Sequence, residues 1–346
     1  MNNETWQQLL SLESRDLTQQ WFNSIHGREL NARRAKEINS AAKQAREYFR
    51  NAAHANYAVK PLLTFYGVAS LSRALLLLMK KNGGEEGLTG SHGLETVGWG
   101  DILSGEISTG LRSLRNLKIR TTSGLFNDFI THTNNRISLH VNSSAVDWRL
   151  DYVKPATGDE FTVDDLFSRI PDLQKDYSNI SQVKKYSSIN QMKYTEEVGF
   201  SAKISAANFS HFSETYEKLG YRSTIEGDWV TLTCESKTFK NNLPMFIHTY
   251  IGKTFGTIPS LHLTEPFPSG ARYSQLCLTY MVSYFLGMFV RYYPTYWMSL
   301  SQGDKGDSMW PTINRAQQLV EHSFPELVIE LIYDILDVKK AESGNG

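Results

Sequence analysis

Two arginines, Arg73 and Arg291, lie inside long apolar stretches that have the character of helices. A buried charge without a partner costs several kcal/mol, so we expect both side chains to be buried and paired. In one interpretation they converge, together with Lys60 or His92, on an anionic ligand such as a phosphate, which arginine binds through two parallel hydrogen bonds. In the other, they have a structural role and pair with acidic groups or with carbonyls at helix C-termini.

A glycine-rich segment from residue 83 to residue 110 carries the tetrapeptide Ser91-His92-Gly93-Leu94. The segment has little periodicity, and no Gly-Lys-Ser/Thr follows it, so it is predicted to be a loop and not a phosphate-binding turn. A histidine in a loop suggests function, because loops carry functional residues on rigid scaffolds. A catalytic histidine also needs a nucleophile or an acid, and no Gly-x-Ser-x-Gly motif or nearby cysteine supplies one. A structural role for His92 stays open.

A second pair, Arg315 and His322, lies seven positions apart, or about two helical turns. Both side chains face the same side if Pro311–Ser323 is one continuous helix. In a ribonuclease, such a histidine could act as general acid or base while the arginine stabilises the scissile phosphate. The alternative is a solvated helix face without a catalytic role.

The overall charge is balanced, with 36 Lys and Arg against 36 Asp and Glu. No global field therefore attracts nucleic acid or an anionic membrane, and such binding would need a local patch. The two cysteines, Cys234 and Cys277, form no Cys-x-x-Cys motif, so neither a disulfide framework nor a metal site is predicted, and no cofactor is expected. The polar N-terminus lacks the pattern of a secretory signal, and we predict a cytoplasmic protein.

The elements that must position these residues are mostly helical. Helical spacing of apolar residues predicts helices over residues 31–53, 60–81, 273–293 and 311–336, the last one interrupted at Pro325. The two most apolar stretches, Pro61–Met79 and Leu276–Val290, are interpreted as core helices and not as membrane spans, because the first contains Arg73 and the second is too short. We expect the four helices to pack together, with residues 60–81 in contact with residues 273–293.

The middle of the chain, from about Leu117 to Ile251, changes to a period of two. Strands are predicted at Ile137–Val141, Trp229–Cys234 and Met245–Ile251, and short helices at Val163–Phe167 and Asn208–Leu219.

We therefore predict an α+β fold, mostly α, in which a helical bundle is built from the N- and C-terminal segments and a central mixed α/β segment is inserted. The predicted parts are residues 1–110, the N-terminal part of the helical core; 111–265, the central α+β segment; 266–340, the C-terminal part of the core; and 341–346, a disordered tail. At 346 residues, such a division into subdomains is expected.

Several motifs occur in order along the chain and together resemble the YaaC-like family of bacterial proteins. They are Ala45-Arg-Glu-Tyr-Phe49, Lys60-Pro-Leu-Leu-Thr-Phe-Tyr-Gly67, Ser91-His-Gly-Leu94, Gly124-Leu-Phe126 and Arg291-Tyr-Tyr-Pro294 with Trp297. The resemblance covers about residues 30 to 330. The resemblance implies a bacterial intracellular protein. It implies almost nothing about a reaction or a ligand, because the family is itself functionally obscure.

The helical hairpin Asn31–Met79 also resembles the helical core of HEPN domains, some of which are metal-independent ribonucleases. Their catalytic motif is an arginine followed by a polar residue, several variable residues and a histidine. Here Arg315 and His322 match its ends, while Ala316 stands where the polar residue is usual.

Three hypotheses about the function stay open. The leading hypothesis is a non-enzymatic interaction or ligand-sensing protein that acts in a complex or as a homodimer and binds an anionic or nucleotide ligand near Lys60, Arg73, His92 and Arg291. The alternative is a HEPN-like ribonuclease, a toxin or antiviral effector, with RNA as substrate and Arg315 and His322 as catalytic residues. The third is an enzyme that acts on a phosphorylated small molecule near Arg73, His92 and Arg291. None of them involves a membrane.

Overall fold

The computed structural model describes residues 3–137, 146, 150–243, 249–255 and 260–344. The helices in these residues are α1 (Asn3–Leu9), α2 (Arg15–His26), α3 (Ala32–His54), α4 (Lys60–Met79), α5 (Trp99–Ile102), α6 (Ile107–Arg112), α7 (Leu125–His132), α8 (Val163–Phe167), α9 (Gln174–Tyr177), α10 (Ser210–Lys218), α11 (Ser236–Asn242), α12 (Gln275–Tyr292), α13 (Pro294–Gln302) and α14 (Trp310–Gly344). The strands are β1 (His92–Val97), β2 (Lys118–Gly124), β3 (Glu160–Thr162), β4 (Tyr186–Thr195), β5 (Gly199–Ser205), β6 (Arg222–Glu226), β7 (Trp229–Cys234), β8 (Thr249–Gly252) and β9 (Ser260–Thr264). The predicted α+β class, mostly α, is confirmed.

The chain divides into two compact units. The first comprises Met1–Asn135, Lys154–Val163 and Leu276–Gly346, and the second comprises Arg136–Val153 and Asp164–Gln275. The first unit contains the helical core together with a three-stranded antiparallel sheet in the order β1-β2-β3. Residues 111–135 and 154–163 of the predicted central segment therefore lie in the first unit, and residues 266–275 of the predicted C-terminal part lie in the second.

The core of the first unit forms around α4 and α12. Residues 276–290 of α12 are all buried, as the apolar sequence predicts. The ring of Phe65 on α4 lies 6.3 Å from the ring of Tyr280 and 5.7 Å from that of Tyr284. A Cβ atom on Gly287 would stand 2.7 Å from Cβ of Phe65, so the glycine permits this close approach. The predicted contact between residues 60–81 and 273–293 is confirmed.

Helix α4 has the length and composition of a membrane span, and it is the one helix of the described residues for which this holds. However, 67% of its most apolar window is buried inside the protein. This burial is typical of the core helix of a soluble protein.

The predicted interruption at Pro325 is wrong, because α14 runs through the proline without a break. Proline removes one backbone donor and costs about 3 kcal/mol in a helix interior. Phe324 and Val328 on either side are completely buried, and such burial contributes about 1.5–3 kcal/mol for each side chain. Packing of the helix against the core therefore outweighs the local preference.

The predicted loop over residues 83–110 is also wrong in part, because β1, α5 and the start of α6 lie within it. Strand β1 is short, and its pairing with β2 shifts register between His92 and Leu94. Its burial pattern therefore does not alternate regularly, and the sequence shows no period of two.

Three predicted segments fall partly outside the described residues. These are residues 138–141 of the first predicted strand, residues 245–248 of the third, and the last two residues of the predicted tail. Within the described chain, β8 begins at Thr249, and α14 continues to Gly344, so residues 341–344 are helical.

The second unit contains a six-stranded antiparallel sheet in the order β6-β7-β5-β4-β9-β8. One face of the sheet carries an apolar core, in which the rings of Phe200 and Phe239 stack with centroids 4.2 Å apart. The predicted strand Trp229–Cys234 is confirmed as β7 and the predicted helix Val163–Phe167 as α8. The predicted helix at 208–219 corresponds to α10.

Candidate anion-binding pocket

A polar pocket opens in the first unit beside the antiparallel helices α3 and α4. Its volume is about 320 Å³. Arg73 lines it from α4 and is half-buried, and His92 lines it from the start of β1. The remaining lining residues are Gln44, Tyr48, Tyr66, Ala69, Ser70, Glu85, Thr89, Gly90, Ser91 and Leu125. Two of the predicted site residues therefore share one pocket.

Two glycines fix the backbone that carries His92. Gly93 and Gly124 have φ angles of 78° and 144°, in the region that favours glycine. A Cβ atom on Gly93 would lie 2.6 Å from the backbone nitrogen of Phe126, so a larger residue would push β1 away from the start of α7. The Leu125 N–H donates to the Ser91 carbonyl across this junction, at 2.9 Å.

The imidazole of His92 lies among aromatic rings. Its centroid is 5.0 Å from that of Phe65 and 6.2 Å from that of Tyr284, both in edge-on geometry. Burial lowers the pKa of His92, and the nearby positive charge of Arg291 lowers it further. The ring is therefore neutral at pH 7, and Arg73 supplies the positive charge inside the pocket.

Arg291 is exposed, so the prediction that it is buried is wrong. It lies in the last turn of α12, where the helix emerges from the core, and its guanidinium stacks over the ring of Tyr292 at 5.1 Å. Its Nη1 donates to the hydroxyl of Tyr66 at 3.3 Å. Since Tyr66 lines the pocket, Arg291 lies next to the site but does not line it.

Arg73 differs from Arg291 in having no hydrogen bond and no ion pair within the described residues. Glu85 lines the same pocket, but no ion pair joins its carboxylate to Arg73 in this part of the chain. The expectation that Arg73 pairs with an acidic group or a carbonyl of the protein is therefore not met by the described residues. Arg73, whose guanidinium carries five N–H donors, lines the pocket.

Lys60 lies away from this pocket. It is the first residue of α4, and its separation of 13 positions from Arg73 corresponds to about 20 Å along the helix. Its Nζ atom forms an ion pair with Glu321 at 3.4 Å and lies 5.4 Å from the centre of the Tyr57 ring. Lys60 thus has partners of its own and does not converge with Arg73.

Arg315 and His322 both lie on the single continuous helix α14. Their separation of seven positions therefore corresponds to two turns of one helix. Arg315 is half-buried and His322 is exposed. Ala316 is completely buried in the core, at the position where the HEPN motif has a polar residue. Neither Arg315 nor His322 lines the pocket.

Sequence reasoning missed part of the pocket. Tyr66, Ser70 and Arg73 stand at positions i, i+4 and i+7 of α4, so they form a polar stripe on an otherwise apolar helix. Tyr48 adds a second ring from α3, 5.6 Å from the ring of Tyr66. The stripe is present in the sequence and could have identified Tyr66 and Ser70 beside Arg73.

Sequence reasoning also missed Arg34, which is only 4% exposed. Its guanidinium donates twice to the carbonyl of Leu77, at 2.8 and 3.1 Å, once to that of Lys81 at 3.0 Å, and once to that of Lys80. These carbonyls at the end of α4 have no acceptor role within the helix, so Arg34 caps it.

No curated protein and no solved structure matches this chain. The profile of the YaaC-like Protein family matches residues 4–332, which is nearly the whole chain. The chain therefore belongs to the YaaC-like protein family.

Proposed function

We propose that this chain is a non-enzymatic, ligand-sensing protein that binds a small anionic ligand through Arg73. The observation that carries the proposal is Arg73, which is half-buried, lines the pocket and has no hydrogen-bonded partner in the described residues. A hydrogen bond to a charged group contributes about 1.5–3 kcal/mol, and Arg73 makes none within the described residues. A phosphate or carboxylate in the pocket would supply two parallel hydrogen bonds to it.

The other buried arginines support this interpretation by contrast. Arg34 donates to three carbonyls at the end of α4. Arg169, which is 2% exposed, donates to the carbonyls of Asp165 and Pro266. Both therefore have internal partners suited to a structural role, whereas Arg73 is available to a ligand.

The walls of the pocket favour a ligand that combines an acid group with a flat ring. Tyr48 and Tyr66 present two neighbouring rings, and aromatic faces are suited to stacking with heterocycles. Gln44 and Ser70, joined by a hydrogen bond of 3.1 Å, add polar groups beside them. A nucleotide has both chemical features.

Binding without turnover is favoured by the partners of the pocket hydroxyls. The Ser91 hydroxyl donates to the Ser123 carbonyl at 2.8 Å, and the Thr89 hydroxyl donates to the Asp128 carboxylate at 3.2 Å. His92 contacts aromatic rings instead of a hydroxyl. In the described part of the pocket no hydroxyl is therefore paired with an imidazole, as an activated nucleophile would require.

Isothermal titration calorimetry with inorganic phosphate and with adenosine monophosphate tests this proposal. We expect the unchanged protein to bind at least one of them, and Arg73→Met to weaken that binding about 10- to 100-fold, because a charge-assisted hydrogen-bond pair contributes about 1.5–3 kcal/mol. Lys43→Met is the matched control, since Lys43 is an exposed cation on α3 that does not line the pocket. The proposal fails if neither probe binds, or if Arg73→Met and Lys43→Met bind equally well.

A further inference from the structure

Strand β6 forms an edge of the six-stranded sheet in the second unit. It pairs with β7 on one side, and on its other side no strand of the described residues pairs with it. Arg222, Thr224 and Glu226 are all exposed, and Ile225 is 70% exposed. An edge strand offers unpaired backbone donors and acceptors to another strand, so β6 is a surface that can pair.

The turn after β6 determines which backbone groups face outward. Gly227, with φ 61°, and Asp228 form a two-residue connection between β6 and β7. In such a hairpin the flanking residues Glu226 and Trp229 form a hydrogen-bonded pair, and hydrogen-bonded and non-hydrogen-bonded pairs then alternate along the ladder. The N–H and C=O groups of Ser223 and Ile225 therefore point away from β7.

We propose that two copies of this chain associate by antiparallel pairing of their β6 strands about Thr224. The sequence Arg222-Ser-Thr-Ile-Glu226 has opposite charges at equal distances from its centre. Pairing about that centre places Arg222 opposite Glu226 of the second copy, and by symmetry Glu226 opposite Arg222 of the second copy. Neither side chain has an ion pair or a hydrogen bond in the described residues of its own chain.

The charges select one register. A shift by two residues in either direction places Arg222 or Glu226 opposite Thr224, and both Arg222–Glu226 pairs are lost. In one of these registers Arg222 comes opposite Asp228, which lies in the turn beyond the strand. In the central register Ser223 lies opposite Ile225 of the second copy, and their outward backbone groups form the hydrogen-bonded pairs. The exposed side chain of Ile225 also becomes covered by the added strand.

Strand pairing over five residues is a small interface, so the association is reversible and depends on concentration. Each dimer contains two Arg222–Glu226 pairs, and each directly opposed pair contributes about 0.2–1 kcal/mol. Reversing one charge converts both pairs into like-charge contacts. We therefore expect a single reversal to weaken association about tenfold or more.

Sedimentation velocity of the full chain over a range of concentrations tests the proposal. The unchanged protein should dimerise, Arg222→Glu and Glu226→Arg should each weaken the dimer, and the double variant should restore it, because the charges are then opposite again. Lys193→Glu is the matched control. Lys193 is exposed on β4, in the same row across the sheet as Arg222, but away from the edge.

Three results would overturn the proposal. The first is a protein that stays monomeric up to about 1 mM. The second is a dimer that the single reversals and Lys193→Glu affect equally. The third is a double variant that dimerises no better than the single variants, because rescue depends on the register about Thr224.

Discussion

His262 makes the stability of the second unit depend on pH. It lies on β9, between β4 and β8, and burial lowers the pKa of its imidazole from 6.5 to about 4. Its Nδ1 atom is 3.1 Å from the Ser188 hydroxyl, and its ring is 5.3 Å from that of Tyr186 in edge-on geometry. The folded state thus holds His262 in its neutral form.

The direction of the effect follows from proton linkage. In the unfolded chain the imidazole takes up a proton below about pH 6.5, whereas in the folded chain it does so only near pH 4. The unfolded state therefore binds more protons between these values, and the free energy of unfolding falls as the pH falls. At 1.36 kcal/mol for each pKa unit, the loss from pH 7.5 to pH 4 is about 3 kcal/mol.

The measurement is hydrogen–deuterium exchange at the amides of β4 and β9, which reports the free energy of local opening. The unchanged protein, His262→Gln and the control His54→Gln, which changes an exposed histidine on α3, are compared at pH 7.5 and pH 4.5. We expect the unchanged protein and His54→Gln to lose about 2–3 kcal/mol more than His262→Gln over this interval. Only the pH dependence is compared, since the substitution His262→Gln changes the packing at both pH values.

Equal losses in all three proteins would refute this reasoning. That result would mean that His262 has the same proton affinity in the folded and unfolded states. A larger loss in His262→Gln than in the unchanged protein would show that the sign is wrong.

Two further predictions concern the first unit. Arg34→Met should lower the free energy of unfolding in urea by about 2–4 kcal/mol, because the carbonyls at the end of α4 lose their donor. The exposed Arg33→Met should lower it much less, since its ion pair with Glu37 lies at the surface, and equal losses would contradict the capping role. Purified protein should not cleave single-stranded RNA without metal, because Ala316 is buried where the ribonuclease motif needs a polar residue; cleavage abolished in an equally stable His322→Ala would show that α14 is catalytic.

The helices of the core could be predicted because each has a local signature. Apolar residues at helical spacing identify α3, and continuous apolar runs identify α4 and α12. Strand β1 could not be predicted, since it depends on pairing with β2, whose residues lie about 25 positions further along the chain. The sequence of a short irregular strand does not show that it pairs with a distant segment of the chain.

The candidate site was predictable only in part. An arginine inside an apolar helix indicated Arg73, and a histidine in a glycine-rich segment indicated His92. Arg291 also lies in an apolar stretch, as Arg73 does, yet it is exposed in the last turn of α12. The difference depends on where each helix leaves the core, which hydrophobicity alone does not encode. Lys60 was excluded only by distance along α4.

The discontinuity of the first unit has a consequence for synthesis on the ribosome. Its core needs α12 and α14, which are made after residue 275, whereas α3 and α4 are complete by residue 79. The apolar faces of α3 and α4 therefore lack their packing partners α12 and α14 while nearly 200 further residues are translated. At 5–20 residues per second this takes about 10–40 s. All residues of the second unit are made within that interval, so it can fold first. Nascent α4, the most apolar of the early helices, is the segment for which a chaperone would then be needed.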